Sequence, residues 1–317
     1  MATKLNLELL NENGELVFYA RKDSTGEPIT ATVEERTLDG SGFRLQYNEY
    51  RALKPGGKIL HPGRQPDISA DVKQCRFYCQ NPSHNLSLLN REPIAFATLN
   101  HWCWIAYYNA APIEPEGHFL WLPASMDRAN FSLPHLLQEL TLPVLEDILN
   151  LFRSSSKLIF FYNSLHAGAS VNHLHWQAVI HKEKLAVENA SVRKSANNDW
   201  YILQDYPAKG LVCDPDIEPI KLFRTIELLQ NRSIPFNLVL IGERICLFPR
   251  DENFEVVKEF PGGVVASMEL AGKVITVDKD AYRSIRLEDI ETAFHNATIS
   301  IDDRFMDGQS DATHPFG

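Results

Sequence analysis

Two strand-like runs flanking a loop of small residues, near the middle of the chain, constrain the fold most. Residues 158–162 read LIFFY, a continuous apolar run of strand length that reads as buried. Residues 173–180 read HLHWQAVI and alternate in character. Between them, residues 164–170 read SLHAGAS, a loop small enough for its backbone to approach a ligand closely. Successive side chains of a strand leave opposite faces, so His173, His175 and Gln177 are expected on one face and Leu174, Trp176 and Ala178 on the other. Two imidazoles and a carboxamide thus line up at the mouth of the loop, with apolar residues holding the opposite face to the core.

That arrangement suits attack on a phosphorus atom. A neutral imidazole nitrogen is a competent nucleophile near neutral pH. Neighbouring amides, the Ser170 hydroxyl and the Gln177 amide can hold phosphoryl oxygens as charge redistributes. Two histidines two residues apart on a strand are, taken alone, more often a surface feature or half of a metal site. The Gly-Ala-Ser loop, Asn163 upstream and Gln177 downstream turn the balance towards chemistry.

The remaining sequence bounds the setting. A length of 317 residues suits one large or two medium domains. A net charge of -10 argues against a duplex-coating nucleic-acid binder, which must neutralise phosphates with cations, but leaves room for a small phosphorylated ligand. Five cysteines, odd in number and thinly spread, argue against a disulfide scaffold. The opening MATKLNLELL has no apolar core of a leader, and no apolar run is long enough to span a bilayer, so a cytoplasmic protein without membrane partners is expected.

Four segments are expected. Residues 1–92 form an N-terminal extension with short strands and a basic, turn-rich patch at 54–64. Residues 93–198 hold strands and one helix, with Thr141 at its cap, Pro143 in its first turn and Leu145, Ile148, Leu149 and Phe152 on one face. Residues 199–304 hold a helix over 219–231, a hairpin turning at Gly242-Glu243 with the type II′ preference for Gly, a strand through 264–277 and a last helix over 287–296. Residues 305–317 form a flexible tail. Strands and helices mix without a regular β-α-β rhythm, so the class is α+β.

The segment Asn172-His-Leu-His-Trp-Gln-Ala178 resembles the H-x-H-x-Q signature of the transferase side of the histidine-triad superfamily, which includes galactose-1-phosphate uridylyltransferase and the diadenosine tetraphosphate phosphorylases. The likeness is closer to the GDP-hexose phosphorylases, acting on GDP-L-galactose in plants and GDP-D-glucose in animals. It is carried by APIEPEGHFLWLP (111–123), YNSLHAGASVNHLHWQA (162–178), DYPAKGLV (205–212), IPFNLVLIGERICLFPR (234–250) and ASMELAGKVIT (266–276), in the family's order. The resemblance implies a histidine-triad-like fold of two related halves on antiparallel sheet with flanking helices, 93–198 catalytic and 199–304 degenerate. It also implies double displacement: His175 attacks the α-phosphorus of a nucleoside diphosphate hexose, hexose 1-phosphate leaves, and inorganic phosphate releases the nucleoside diphosphate. His173 would position or hydrogen-bond the nucleophile, and Gln177 and Ser170 would hold non-bridging oxygens. Asn163 and Gly168 match the phosphate-contacting loop, and His118 matches a supporting histidine of the family's G-H-x-x-x-x-P strand.

Hydrolases of the superfamily usually carry a third histidine where Gln177 stands; Gln cannot do acid work, so transfer to phosphate is favoured over hydrolysis. No cofactor is expected. A structural zinc on Cys75, Cys79, His118 and His173 is the lesser reading, by likeness to zinc-containing uridylyltransferases, against two ordinary thiols. The loop His166-Ala-Gly168-Ala-Ser170 leans towards the uridylyltransferase version, so base and sugar stay open. The alternatives are a dinucleoside polyphosphate phosphorylase, a hexose-1-phosphate uridylyltransferase-like enzyme, and a non-catalytic nucleotide sensor. The resemblance also admits a homodimer.

Overall fold

The computed structural model describes residues 31–38, 40–52, 68–84, 87–91, 93–125, 132–155, 157–196, 199–257, 260 and 263–301. The basic patch at 54–64 and the tail at 305–317 lie outside the described residues. The strands are β1 (Val33–Thr37), β2 (Arg44–Asn48), β3 (Ala95–Thr98), β4 (Cys103–Tyr108), β5 (His118–Ala124), β6 (Leu158–Asn163), β7 (Trp176–Ile180), β8 (Ser191–Lys194), β9 (Tyr201–Gln204), β10 (Leu211–Cys213), β11 (Phe236–Ile241), β12 (Arg244–Pro249) and β13 (Lys273–Thr276). The helices are α1 (Glu49–Ala52), α2 (Leu142–Arg153), α3 (Ala186–Asn189), α4 (Pro219–Asn231), α5 (Ser267–Ala271), α6 (Lys279–Ser284) and α7 (Leu287–Ala297).

Ten strands form one antiparallel sheet in the order β3-β4-β5-β7-β6-β11-β12-β10-β9-β8. The fold is α+β, as the patternless mixing of elements indicated. The two sets of five strands meet where β6 pairs with β11, and there Asn163 stands directly opposite Asn237. β8, which precedes residue 199, pairs with β9 at the far edge. Alternation along the strands gives the sheet two apolar faces. Trp104, Trp121, Phe160, Tyr162 and Trp176 pack under α2 and α4. Ile159, Phe161, Val179 and Val239 pack on the opposite side, beneath α5, α7 and a small sheet of order β1-β2-β13. Among the described residues, no helix is long and apolar enough to cross a membrane.

Local chemistry explains most elements. In α2 the expected stripe is buried, with Thr141 at the N-cap position and Pro143 in the first turn. Its buried Asp147 accepts from the backbone N–H of His101 and Trp102 and from the Trp104 indole, which repays its desolvation and pins the β3–β4 hairpin to the helix. The β11–β12 hairpin closes with Ile241 opposite Arg244. Of the two turn residues only Gly242 has positive φ, at 53°, the type II′ sign pattern.

Two expectations are corrected. The strand expected over 264–277 is half helix: Glu269 accepts from the Ala266 N–H at 3.1 Å, capping α5, and Gly272 ends it in the left-handed region at φ 113°. Only Lys273–Thr276 then joins a sheet, parallel to β2. A Cβ on Gly272 would lie 2.8 Å from the Ala186 backbone nitrogen. Gly272→Ala is therefore expected to cost about 2–3 kcal/mol, read as a lowered denaturant midpoint at unchanged slope.

The second correction concerns the motif strand, whose ladder begins at Trp176 rather than His173. Residues 172–175 bond instead to the segment before α2: Leu174 N–H to the Leu136 carbonyl, His175 N–H to Gln138 Oε1, and Gln138 N–H to Asn172 Oδ1. These bonds, lateral to the sheet, set where the two histidines point.

The N-terminal segment is built into the site's frame. Gln46 and Asn48 of β2 donate to the carbonyls of Ile113 and Pro112, and Arg51 of α1 donates to that of Ala111 at 2.8 Å. All three grip the β4–β5 loop. Buried Lys273 pairs with Glu35 and with Glu114 of the same loop, and Lys182 pairs with Glu114 and Glu116.

Candidate active site

His175 sits one residue before β7 and is held at both backbone and ring. Its N–H donates to Gln138 Oε1 at 3.0 Å, while Gln138 Nε2 donates to the carbonyls of Asn163 and His175 at 2.9 and 3.3 Å. The ring Nδ1 lies 2.7 Å from the His173 carbonyl oxygen. A carbonyl only accepts, so Nδ1 carries the proton and the neutral ring keeps its lone pair on Nε2. His173 thus bonds the nucleophile through its backbone carbonyl, while its ring is engaged elsewhere.

A cavity beside His175 is walled by Asn163, Gly168, Ser170, Gln177 and Glu269, with Phe161 and Leu120 below. Register explains this: Gln177 stands opposite Leu120 on β5 and Phe161 on β6, so all three share a face. The amide orientations follow from their partners. The Ile113 N–H donates to His118 Nδ1 at 2.9 Å, so His118 Nε2 bears the proton and donates to Gln177 Oε1 at 3.0 Å. Gln177 is thereby turned so that its NH2 end is the one left for the cavity. His118 thus acquires a definite supporting contact.

Asn163 is fixed in the same sense. Its Oδ1 accepts from Asn237 Nδ2 at 2.7 Å and from the Ser267 N–H and hydroxyl at 3.1 and 2.6 Å, so its donor end is turned to the cavity. Asn237 Nδ2 also donates to the Ala167 carbonyl at 2.7 Å, and Arg250 donates to Asn237 Oδ1 at 2.6 Å. Arg250 is fully buried, with further bonds to the carbonyls of Ala297, Val265 and Phe254. Burial lowers its pKa to about 10, which leaves it charged at neutral pH. The loop itself carries two left-handed residues, exposed His166 at φ 61° and Gly168 at φ 98°. A Cβ on Gly168 would come within 2.7 Å of Ala266 Cβ. The Gly168 N–H donates to Glu255 at 2.9 Å.

Glu269 has its pKa pushed up to about 7, chiefly by burial, against the lowering pull of its own cap bonds, Arg51 and Arg250. The folded chain therefore keeps a proton, between about pH 4.5 and 7, that the unfolded chain releases. The resulting penalty grows across that window and levels off above pH 7 at about 3 kcal/mol. Glu269→Gln is expected to gain roughly that much stability at pH 8 and little at pH 5. Equal denaturant midpoints for the two proteins at pH 8 would refute the assignment.

A second cluster lies behind the histidines. Cys75, Cys79, His135 and His173 place one donor atom each within 4.8 Å of one another. Cys75 Sγ is 3.4 Å from His173 Nδ1, Cys79 Sγ is 3.6 Å from His135 Nδ1, and the two Nδ1 atoms are 3.3 Å apart. Donors at zinc bond lengths around a tetrahedral ion stand about 3.3–3.8 Å from one another, so this two-sulfur, two-nitrogen set has zinc's spacing and chemistry. His118 is not part of it. It opens β5 beside Gln177, whereas the segment before α2 runs alongside residues 172–175 and brings His135 to that corner. Tyr78, at φ 49°, makes the tight turn that lets the two cysteines converge.

The sequence reading named His175, His173, Gln177, Asn163, Gly168, Ser170 and His118; the structure lines one cavity with His175, Gln177, Asn163, Gly168 and Ser170, sets His118 behind Gln177, and turns the His173 ring elsewhere. It missed Gln138, His135, Asn237, Arg250, Glu255 and Arg51, and gave Glu269, in a block of likeness, no role. Asn237, Arg250 and Glu269 fall inside the blocks of family likeness, which is the signal that could have raised them. Gln138 and His135 lie in a stretch without regular secondary structure and gave no periodic signal.

A yeast Ap4A phosphorylase (Apa2) solved in complex with Ap4A superposes with a TM-score of 0.55 at 16% identity, over 84% of this chain and 90% of that one. The molecule therefore shares the α+β fold of that protein. A family described as GDPGP1-like, C-terminal domain, matches residues 181–313. GDP-D-glucose phosphorylase 1 of Homo sapiens is 30% identical over 266 residues, 76% of this chain and 66% of the relative. GDP-L-galactose phosphorylase 2 of Arabidopsis thaliana is 35% identical over 153 residues, 45% of this chain and 34% of the relative. The chain belongs to the GDP-hexose phosphorylase family. It spans between about a third and two thirds of the length of these curated relatives.

Proposed function

We propose that the chain is a nucleotidyltransferase that phosphorolyses a nucleoside diphosphate hexose, with GDP-hexose preferred. The observation that carries this reading is the His175 ring, with Nδ1–H held by a carbonyl and its lone pair on Nε2, beside a cavity to which two fixed amides turn their donor ends. Nε2 attacks the α-phosphorus, the bond from that phosphorus to the bridging oxygen breaks, and hexose 1-phosphate leaves with the oxygen. A phosphate oxygen then attacks the nucleotidyl-histidine, the N–P bond breaks, and nucleoside diphosphate is released. Gln177, Asn163 and Ser170 hold non-bridging oxygens through both steps. Sugar phosphate is a good leaving group and phosphate an anionic nucleophile, so the absence of an acid at position 177 is no obstacle.

The preference for GDP-hexose rests on the activities for which the relatives are named. Diadenosine polyphosphate phosphorolysis is the second reading, favoured by the likeness of fold to the Ap4A phosphorylase. Cys75, Cys79, His135 and His173 would hold a structural zinc, which supplies no reacting group and fixes the backbone whose carbonyl orients His175. We read the protein as cytoplasmic, with small-molecule substrates rather than nucleic acid; the resemblance admits a homodimer.

The test is phosphate-dependent turnover of GDP-glucose, GDP-galactose, GDP-mannose, UDP-glucose and Ap4A. One GDP-hexose yielding GDP and hexose 1-phosphate is the expected result. Reaction of UDP-glucose or Ap4A alone would overturn the substrate and keep the chemistry. No turnover and no label on His175 would leave the nucleotide-sensor reading.

A further inference from the structure

The cavity beside His175 offers neutral amide and hydroxyl donors, yet its walls also carry Glu269, and Glu255 bonds the loop at Gly168. A nucleoside diphosphate brings at least two more negative charges into this space, in a chain whose net charge is already -10. An anion buried without a counter-charge is strongly disfavoured. Among the described residues, one Lys or Arg lines that cavity, Arg51. It comes from α1 in the N-terminal segment, outside every block of likeness.

We infer that Arg51 is a substrate-binding residue whose guanidinium pairs with phosphoryl oxygens of the nucleoside diphosphate group beside His175, an inference that rests on the proposed function. The planar fork of arginine matches two phosphate oxygens at once. Its placement is defined by the frame around it. Nη1 donates to the Ala111 carbonyl at 2.8 Å, on the loop whose Asn109 and Ile113 also wall the cavity. The Asn48 amide grips the same loop at Pro112, three residues before Arg51 in sequence. Arg51 and Glu269 interact electrostatically across the cavity, so an arriving phosphate takes over from the carboxylate as the counter-charge of Arg51.

The test compares the full-length protein with Arg51→Gln and Arg51→Lys, reading GDP affinity by calorimetry and the melting temperature without ligand. Arg51→Gln is expected to weaken GDP binding roughly 10- to 100-fold, with a modest fall in melting temperature from the lost bond to the Ala111 carbonyl. Added millimolar guanidinium is expected to restore part of the loss, and Arg51→Lys to fall between. A purely structural Arg51, gripping Ala111 alone, would show no rescue of GDP affinity by guanidinium; that result, or unchanged GDP affinity, overturns the inference. If the parent binds UDP or ADP but not GDP, the base preference fails while the contrast between parent and variant still decides on Arg51. If the parent binds none of these, nor pyrophosphate, both fall.

Discussion

His175→Ala is expected to abolish phosphorolysis of the competent nucleoside diphosphate hexose, with kcat down by at least about 1000-fold, because no other group can form the covalent intermediate. Incubating the parent with substrate labelled in the α-phosphate, without inorganic phosphate, should leave label on the protein and release hexose 1-phosphate. The variant should do neither. Folding should be little affected, since the ring makes its Nδ1 bond to a carbonyl only two residues away while the backbone N–H keeps its bond to Gln138. A variant that retains even a tenth of the activity would remove His175 from the proposed chemistry.

The next largest effect concerns the cluster behind it. The protein purified without chelator is expected to carry one zinc per chain, measured by mass spectrometry of the metal. Stripping it, or replacing Cys75 with alanine, should destabilise the fold by several kcal/mol, since a site assembled only in the folded state contributes its binding energy to folding. Activity should fall with it. The ring of His173 would be a ligand while its carbonyl holds Nδ1 of His175, so loosening the one frees the other. Metal-free protein with an unchanged melting profile would refute the assignment.

How much of this was legible in the sequence depended on whether the signal was local. The α2 stripe, the α4 span and the Gly242-Glu243 turn are set by residues within a few positions of one another, and the structure has them where periodicity and turn chemistry put them. The motif's identity was legible too, down to Gln177 and Trp176 facing opposite ways. Its conformation was not. His173 and His175 take their directions from Leu136 and Gln138, about 37 positions away, and no alternation in 173–180 carries that information. The same non-local pairing put His135 rather than His118 beside the cysteines. The segment 264–277 failed for another reason: its apolar residues suit a strand, and only the Glu269 cap and the left-handed Gly272 make half of it a helix.

Asn163 and Asn237 face each other across the β6–β11 ladder, and that rung, together with Ser267 of α5, sets the direction of the Asn163 amide. A slip of a single residue would send Asn237 to the opposite face and release the loop carbonyl of Ala167 as well. The cleft therefore acts as a gauge of complete assembly. A nascent chain built only through β7 has the two histidines but not Asn237 or Ser267, the partners that aim Asn163, so it cannot present a finished phosphate cradle. Competence arrives with the last zippering event between the halves, and half-made protein is kept chemically silent.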